Sequence, residues 1–314
     1  MQKLTVNSLK LLGLIAVLVM VAVGCGGGGT SGKVDLSDAN ITVGSKEFTE
    51  QLILGQIAIQ VLENAGATVE DQTHLAGSVA AREALTSGQI DTYWEYTGTG
   101  WITYLGHTKP IDNSHKQYEA VAKEDLKKNG IEWLPPAPAN NTYALAVRSE
   151  AADDLGVTKL SDLKQLVKEQ PDEATLCAAS EFLSRDDGLP GVEKAYGFKF
   201  PEGNISELAV GPIYEATDKG DKCNFGEVFA TDGRISALDL QVLEDDKNFF
   251  PIYNPSLNVN KKLMDEYPQI KKIFAPISKK LTTEELSKLN AKVDVQGQLE
   301  DQVAEEWLKE NGLI

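Results

Sequence analysis

The sequence predicts an α/β protein with two α/β domains joined by two crossing strands. Short apolar segments alternate with longer amphipathic segments, which is the pattern of strands and helices in βαβ units. The chain has 314 residues, enough for two separate cores. Two uninterrupted strand-like segments, residues 140–147 and 249–259, lie where the chain would enter and leave a second domain. One domain is therefore expected to come from both ends of the chain and the other from its middle.

The composition is that of a globular protein with an acidic surface. Charged residues make up 25% and hydrophobic residues 42% of the chain, and the formal net charge is -17. A surplus of negative charge disfavours nucleic acid as a partner and disfavours charge-driven binding to anionic membranes. It is compatible with a neutral or cationic small-molecule ligand.

The first 24 residues predict a signal peptide. Lys3 and Lys10 precede the apolar run 11–23, which is too short for a transmembrane helix and ends in small residues before Cys25. This ending resembles the lipobox of bacterial lipoproteins, so we expect cleavage before Cys25, lipidation of that cysteine and anchoring outside the cytoplasm at the cell membrane. The alternative is an ordinary signal peptide with a chance cysteine. Residues 25–40 then form the lipidated cysteine and a flexible Gly/Ser/Thr-rich linker.

Two further cysteines, Cys177 and Cys223, remain in the exported part of the chain. Export permits a disulfide, and a remainder of two cysteines is what one bridge requires. We therefore predict a Cys177–Cys223 disulfide, with two buried thiols as the alternative.

The first domain begins with a strand–loop–helix unit. Residues 41–44 predict a buried strand, and residues 50–64 predict a helix whose apolar side chains lie mostly on one face. The helix N-terminus would direct its backbone N–H groups at a ligand above the sheet. Lys46 in the intervening loop is either a contact for an anionic ligand group or a solvated surface charge. A second strand at 68–75 and a second helix at 79–87 follow.

The segment 91–100 (DTYWEYTGTG) places three aromatic residues at the end of the third predicted strand, before a sharp turn expected at Gly98 and Gly100. Ligands bind at this edge of open α/β sheets, although core packing of the aromatics is the alternative. A helix at 116–129 and a strand at 131–134 continue the βαβαβ pattern, which is typical of a parallel sheet with helices on both faces.

The middle of the chain repeats the alternation of helices and strands. The predicted elements are helices at 161–168 and 212–219, strands at 175–178, 207–210, 225–229 and 238–243, and, after the return crossing, helices at 282–293 and 298–311. We therefore expect α/β domain I at 41–142 plus 254–314 and α/β domain II at 143–253. A cleft between two such domains is a favoured ligand site.

The usual signatures of catalysis and metal binding are absent from the sequence. There is no GxSxG, P-loop, HExxH or CxxC, and His74, His107 and His115 lack metal-ligand spacing. We therefore expect no catalytic residue, no metal and no cofactor.

Five segments together resemble the glycine betaine/choline/carnitine substrate-binding proteins of ABC importers. They are 43–50 (VGSKEFTE), 93–99 (YWEYTGT), 141–145 (NTYAL), 181–188 (EFLSRDDG) and 231–235 (TDGRI). The resemblance covers about residues 41–314, in the family's order. It implies a type II periplasmic-binding-protein fold that closes on a quaternary ammonium compound, and it implies an ABC permease as partner.

The same resemblance assigns the site residues. Members of the family hold the trimethylammonium head in a cage of aromatic rings, and Tyr96, Tyr143 and Tyr253 match cage tyrosines. Phe229 occupies a fourth cage position, where the family commonly has Tyr. Packing of the hinge or the core is the alternative reading for Tyr143, Tyr253 and Phe229. Lys46, Thr99 and Arg185 match residues that in the family hold the ligand carboxylate or bridge the domains, and Glu181 is expected to orient Arg185 from one turn away. Thr231 is also assigned to the ligand-binding set, and Asn141 stands near a position where a family acid can lie.

These observations predict a monomeric, lipid-anchored binding protein that delivers osmoprotectants such as glycine betaine, choline, carnitine or proline betaine to a permease. One alternative is a binding protein of the same fold for an amino acid or an aromatic compound. The other is a choline-ester hydrolase, which would need a nucleophile–base pair that the cage segments lack.

Overall fold

The computed structural model describes residues 34–314, so the predicted signal peptide, Cys25 and most of the linker lie outside the described residues. The strands are β1 (Asn40–Lys46), β2 (Thr68–Leu75), β3 (Thr92–Tyr96), β4 (Ile131–Trp133), β5 (Tyr143–Arg148), β6 (Leu176–Ala178), β7 (Ile205–Glu207), β8 (Phe225–Phe229), β9 (Leu240–Val242) and β10 (Pro255–Asn260). None of the helices within this part of the chain is both long and apolar enough to cross a membrane.

The helices fill most of the connections between these strands. They are α1 (Thr49–Asn64), α2 (Gly77–Ser87), α3 (Thr97–Thr99), α4 (Ser114–Asn129), α5 (Ser149–Leu155), α6 (Leu163–Glu169), α7 (Ser180–Ser184), α8 (Leu189–Tyr196), α9 (Val210–Lys219), α10 (Arg234–Ala237), α11 (Lys261–Glu266), α12 (Ile270–Lys280), α13 (Thr283–Asp294) and α14 (Glu300–Glu310).

The strands form two five-stranded mixed sheets. Sheet A has the order β2-β1-β3-β10-β4 and sheet B the order β7-β6-β8-β5-β9. Strand β10 runs antiparallel to β3 and β4, and strand β5 runs antiparallel to β8 and β9. Each antiparallel strand is the one that follows a crossing from the other sheet. The expectation of a parallel first sheet therefore missed β10, which arrives from the far end of the chain and lies between β3 and β4.

We call the elements around sheet A lobe A and those around sheet B lobe B. Residues 140–142 and 249–254 connect the two lobes and run side by side. The Asn141 N–H donates to the Tyr253 carbonyl at 3.1 Å, and the Tyr253 N–H donates to Asn140 Oδ1 at 2.8 Å. The fold therefore has two α/β lobes and two crossings, as the sequence predicts, but the connecting residues 140–142 and 249–254 lie outside the strands.

Helices cover both faces of sheet A because successive strand side chains point to opposite sides. Trp94 packs in a cluster with Ile53 of α1 and Trp307 of α14, whereas its neighbour Tyr93 packs with Leu85 of α2 on the other face. All five side chains are at least 98% buried. This packing fixes the end of β3 at the edge of sheet A that faces lobe B.

The expectation of a sharp turn at Gly98 and Gly100 is wrong. The chain continues from β3 directly into α3 and then into a π-helical segment, Gly100–Tyr104. A Cβ atom on Gly98 would lie 2.6 Å from Tyr253 Cδ1, and one on Gly100 would lie 2.6 Å from Trp133 Cη2. The glycines are therefore needed for close packing, and Gly98 allows the Tyr253 ring to approach the end of β3.

The strand expected at 207–210 is also misplaced. Strand β7 ends at Glu207, and α9 already begins at Val210. Pro212 is the third residue of α9, where a backbone N–H has no acceptor within the helix, so the missing proline N–H costs nothing there. Pro212 therefore lies within the first turn of this helix, which begins two residues before the expected start at 212.

Cys177 of β6 and Cys223, just before β8, form a disulfide with 5.7 Å between their Cα atoms. Both residues are buried, and they pack with Ile213 of α9. The bond joins β6 to the loop between α9 and β8, and β8 is the neighbour of β6 in sheet B.

Candidate functional site

An aromatic cluster lies between the two lobes. We define it as Phe48 and Tyr96 from lobe A, Tyr143 and Phe229 from lobe B, and Tyr253 from the second crossing segment. Phe229 stacks on Phe48 with 5.1 Å between ring centres and lies 5.2 Å from the Tyr143 ring. Tyr253 meets Tyr143 edge-on at 5.6 Å, and Tyr96 lies 6.3 Å from Phe48. The structure thus brings all four predicted cage residues into one cluster.

Strand ends position most of these rings. Tyr96 is the last residue of β3, Tyr143 is the first of β5, and Phe229 is the last of β8. Tyr143 and Phe229 are also direct partners in the antiparallel β5–β8 ladder. Ligands of α/β folds bind at such strand ends, where side chains leave the sheet and face the neighbouring lobe.

Sequence reasoning missed two rings of this region. Phe48 caps the N-terminus of α1 and stacks between Tyr96 and Phe229, and Phe182 lies 5.2 Å from the Tyr143 ring. Both belong to segments of the family resemblance, which was the available signal. Sequence spacing alone does not predict that the rings of Phe48 and Phe182 pack in this region.

Lys46 is buried on the lobe A side of the cluster, and its ammonium group makes two hydrogen bonds. Its Nζ donates to Glu95 Oε1 at 2.7 Å and to Ser78 Oγ at 2.8 Å, and it lies 5.1 Å from the centre of the Tyr96 ring. Glu95 also accepts hydrogen bonds from the hydroxyls of Tyr93 and Tyr104. The ammonium of Lys46 is therefore neutralised by a protein carboxylate.

Arg185 occupies the corresponding position in lobe B. Its Nε and Nη2 donate to the two oxygens of Asp187 at 2.6 and 2.5 Å, and its Nη1 donates to Glu181 Oε1 at 2.7 Å. Nη2 also reaches Thr99 Oγ1 of lobe A at 3.5 Å, and the guanidinium lies 5.5 Å from the centre of the Tyr143 ring. The structure thus brings the predicted residues Thr99, Glu181 and Arg185 together. The guanidinium of Arg185 donates to the carboxylates of Asp187 and Glu181 through all three of its nitrogens.

Glu181 links the two lobes. Its oxygens accept hydrogen bonds from the Ser78 hydroxyl at 2.6 Å and from the Ser78 N–H at 3.0 Å, in addition to the contact with Arg185. Burial opposes ionisation of this carboxyl, but the charges of Lys46 and Arg185 and the Ser78 hydrogen bonds outweigh it and lower the pKa of Glu181 to about 2. The carboxylate is therefore ionised at neutral pH and bridges the two lobes.

Glu50 forms a second polar bridge behind the rings. Its Oε1 accepts from the Tyr96 hydroxyl at 2.7 Å and from Asn141 Nδ2 at 2.9 Å. Its Oε2 accepts from Thr231 Oγ1 of lobe B at 2.5 Å and from Asn290 Nδ2 at 3.2 Å. Burial raises the pKa of the Glu50 carboxyl, and these four hydrogen bonds oppose the rise. The predicted residue Thr231 is therefore joined to the cluster through Glu50, a residue that the sequence indicated only as a helix start.

A small cavity of about 10 Å³ lies beside this network, lined by Phe48, Glu50, Asn141, Phe229 and Asn290, among others. It has room for about one water molecule. A larger depression of about 390 Å³ on lobe B, lined mainly by residues of α8 and around β7, contains none of the predicted site residues. We place the site at the small cavity, because the aromatic and buried polar groups converge there and the larger depression is open to solvent.

Catalytic groups do not accompany the cluster. His107 stacks on Trp101 and contacts Glu124, and His115 contacts Glu119. His74 is an exposed residue near the end of β2. Within residues 34–314, no three His, Cys, Asp or Glu side chains are arranged to hold a metal ion. The site thus consists of aromatic rings, carboxylates, amides and hydroxyls, together with the paired cations Lys46 and Arg185.

Comparisons with known proteins find a family match and similar relatives. Residues 39–310 match the family described as the substrate binding domain of ABC-type glycine betaine transport systems. The chain is 38% identical over 277 residues to the glycine betaine-binding protein YehZ of Escherichia coli K12, covering 87% of this chain and 90% of that protein. It is 38% identical over 279 residues to a glycine-betaine-binding protein of Pseudomonas aeruginosa PAO1, covering 87% and 88%.

A solved structure described as a glycine betaine/carnitine/choline ABC transporter superposes with a TM-score of 0.69 at 28% identity, covering 87% of this chain and 98% of that one. The family match and the relatives confirm the resemblance that the sequence segments carry. The chain belongs to the family of substrate-binding domains of ABC-type glycine betaine transport systems.

Proposed function

We propose that this protein captures quaternary ammonium osmoprotectants, such as glycine betaine, choline, carnitine or proline betaine, between its two lobes and delivers them to an ABC permease. The observation that carries the proposal is the aromatic cluster, whose five rings come from both lobes and from a crossing segment. Two relatives bear glycine betaine in their names, and the similar solved structure is named for glycine betaine, carnitine and choline.

The chemistry of such a ligand requires rings. A trimethylammonium head carries positive charge but has no N–H to donate, so hydrogen bonds cannot replace its hydration. Aromatic faces can replace it, at about 0.5–2 kcal/mol per ring. Rings of Tyr96, Tyr143, Phe229 and Tyr253 around one head would supply a few kcal/mol, and Phe48 adds a fifth face.

Binding must be coupled to movement of the rings. The cavity of about 10 Å³ is far smaller than a trimethylammonium group, because Phe48 and Phe229 stack directly on each other. We propose that opening of the lobes separates these two rings and that the ligand head enters between them. The ligand then shifts an open–closed equilibrium toward the closed form, which docks on the permease.

The remaining assignments belong to the same proposal. We assign residues 41–142 plus 254–314 to domain I and residues 143–253 to domain II. Cleavage before Cys25 and its lipidation would anchor a monomeric protein to the outer side of the cell membrane. The protein has no enzymatic role in this proposal, and the absence of a histidine from the aromatic cluster supports binding over ester hydrolysis.

Titration calorimetry with glycine betaine, choline, carnitine and proline betaine tests the proposal. We expect saturable binding of at least one of these solutes to the purified protein. Absence of binding by all four would contradict it. A thermal-shift screen with amino acids and aromatic compounds tests the alternative ligand classes, because a tight ligand raises the melting temperature by mass action.

Replacement of Tyr96 by leucine is expected to weaken binding of the preferred solute by about 1 kcal/mol or more, roughly fivefold, because a ring face is replaced by an aliphatic side chain. Tyr96→Phe keeps the ring and loses only the hydroxyl that donates to Glu50. We expect the phenylalanine variant to bind more tightly than the leucine variant in calorimetry. Equal affinities of wild type and Tyr96→Leu would exclude Tyr96 from the cage.

A further inference from the structure

A loop of lobe B packs on a helix of lobe A at some distance from the rings. The loop, residues 231–234, leads from β8 into α10, and the helix is α13, whose buried leucines belong to the core of sheet A. Three pairs meet across this contact: Thr231 with Asn290, Gly233 with Ala291, and Arg234 with Asp294. Asp294 lies three and four positions after the other two helix residues, so all three share one face of α13.

Helix α13 leaves no room for a side chain at Gly233. A Cβ atom there would lie 2.5 Å from Ala291 Cβ, 2.7 Å from its Cα and 2.8 Å from its N. Carbon atoms that are not bonded pack best at about 3.5–4.0 Å. The obstacle is helix backbone as well as side chain, so no change of rotamer removes it. The backbone of Gly233 has φ -68° and ψ -21°, which any residue adopts, so glycine is required here only while the lobes are in contact.

An ion pair lies next to this close approach. Asp294 is the last residue of α13, and its side chain is 8% exposed. Its Oδ1 accepts from the Thr49 hydroxyl of α1 at 2.7 Å and lies 3.5 Å from Arg234 Nη1, while its Oδ2 is buried without a hydrogen-bond partner. Arg234 is held on lobe B by two hydrogen bonds to Asp232 and by the Tyr214 ring, 4.1 Å from the guanidinium. A buried negative charge at a helix C-terminus is unfavourable by itself, so the approach of Arg234 favours closure.

These positions stand apart from the candidate ligand site. Gly233, Ala291 and Asp294 belong neither to the aromatic cluster nor to the lining of the small cavity. A substitution at any of the three therefore acts on the ligand only through the relative position of the lobes.

We propose that the contact between loop 231–234 and α13 is the steric stop of closure. Gly233 and Ala291 set how closely the lobes approach, and Arg234 and Asp294 draw them together. These positioning residues determine what fraction of the protein can reach the closed form, so they scale the affinity for every solute by the same factor. This inference rests on the proposed function, because it concerns the closure that holds the solute.

Titration calorimetry of wild type, Gly233→Ala and the control Gly203→Ala tests the inference with glycine betaine, choline, carnitine and proline betaine. Gly203 is a matched control in lobe B, because no atom lies within 4 Å of a Cβ atom built on it. We expect Gly233→Ala to bind every solute that the wild type binds at least about tenfold more weakly, and by one common factor, because the added methyl group keeps the lobes apart. The control should stay within about twofold of wild type.

Two further measurements separate closure from local damage. In solution X-ray scattering at saturating solute, Gly233→Ala should have a larger radius of gyration than wild type. Asp294→Asn adds no atom and keeps an oxygen that can accept from Thr49, but it removes the charge that faces Arg234. We expect this variant to weaken all solutes by one common factor of about two to five, as for a partly buried ion pair. It also decides the question if Gly233→Ala does not fold.

Four outcomes would overturn the inference. The first is binding by Gly233→Ala within about twofold of wild type. The second is a loss that differs between solutes, which would place Gly233 beside the ligand. The third is an equal radius of gyration for solute-saturated wild type and Gly233→Ala, and the fourth is wild-type affinity in Asp294→Asn. A wild type that binds none of the four solutes would instead reject the proposed function itself, and the inference with it.

Discussion

Replacement of Arg185 by alanine is expected to lower the free energy of unfolding by about 3–5 kcal/mol, because it leaves a buried carboxylate without its partner. The side chains of Arg185 and Asp187 are 7% and 4% exposed, and two hydrogen bonds join them. Without the guanidinium, Asp187 keeps the hydrogen bond from the Tyr253 hydroxyl but loses its charge partner. Urea unfolding at pH 7 measures the change through the midpoint and slope of the transition.

The double variant Arg185→Ala/Asp187→Asn is the control for this prediction. It removes the cation together with the most deeply buried of its two acids, so it should be more stable than Arg185→Ala alone. If Arg185→Ala costs less than about 1 kcal/mol, the pair behaves as an exposed ion pair. That result would mean that the cleft is open to water in solution, contrary to the closed arrangement described above.

Two carboxylates, Glu181 and Glu50, join the two lobes on opposite sides of the aromatic cluster. Glu181 of lobe B receives hydrogen bonds from Ser78 of lobe A, which itself accepts from Lys46. On the other side of the rings, Glu50 of lobe A accepts from Thr231 of lobe B. Each bridge joins the lobes through a carboxylate and lies next to a ring of the aromatic cluster. Movement of the rings by a ligand is therefore expected to be felt at both bridges.

The sequence predicts most of the features that depend on residues close together in the chain. Strand and helix positions follow from apolar periodicity. The family resemblance predicts the rings at the ends of β3, β5 and β8, since Tyr96 and Tyr143 lie in its segments and Phe229 lies just before the segment 231–235. The antiparallel insertion of β10 could not be predicted from local pattern, since Leu257 meets Trp94 across a separation of more than 160 residues. The same holds for the glycines of the 98–100 segment, whose role depends on Tyr253 and Trp133 approaching from elsewhere.

The polar part of the site was the harder part to predict. The resemblance predicts that Lys46 and Arg185 hold a ligand carboxylate or bridge the domains. In the structure their partners are protein carboxylates, and Glu95 is 49 residues from Lys46. The apolar pattern of the sequence identifies Glu50 only as the first residue of a predicted helix. Its four donors lie 46, 91, 181 and 240 residues away, so no spacing in the sequence indicates that they converge.

Substitution of Glu227 by glutamine is expected to stabilise the protein at alkaline pH and to have little effect at pH 4.5 or below. Glu227 of β8 is 3% exposed and accepts a hydrogen bond from the Ala179 N–H at 2.7 Å. Burial raises the pKa of this carboxyl from 4.5 to about 8; the neighbouring Glu181 adds to the rise, while the Ala179 N–H and Arg185 oppose it. The carboxyl is therefore protonated in the folded protein at neutral pH.

The sign of the effect follows from proton linkage. Below pH 4.5 the carboxyl is protonated in both the folded and the unfolded chain, so it does not alter their balance. Between pH 4.5 and about 8 the unfolded chain loses this proton while the folded chain keeps it, so the free energy of unfolding falls as pH rises. At about 1.4 kcal/mol per pKa unit, the full loss is roughly 3–5 kcal/mol. Glutamine is neutral throughout and keeps an oxygen that can accept from Ala179, so it removes this loss.

Urea unfolding of wild type and Glu227→Gln at pH 5, 7 and 9 measures the difference. The stability gain of the variant should increase from pH 5 to pH 9 and level off above pH 8. Glu207→Gln is the matched control, because Glu207 is an exposed carboxylate on β7 of the same sheet, and its substitution should give a small effect without this pH dependence. A Glu227→Gln effect of equal size at pH 5 and pH 9 would show that the carboxyl ionises normally in the folded protein. That result would place a further buried carboxylate charge close to Glu181.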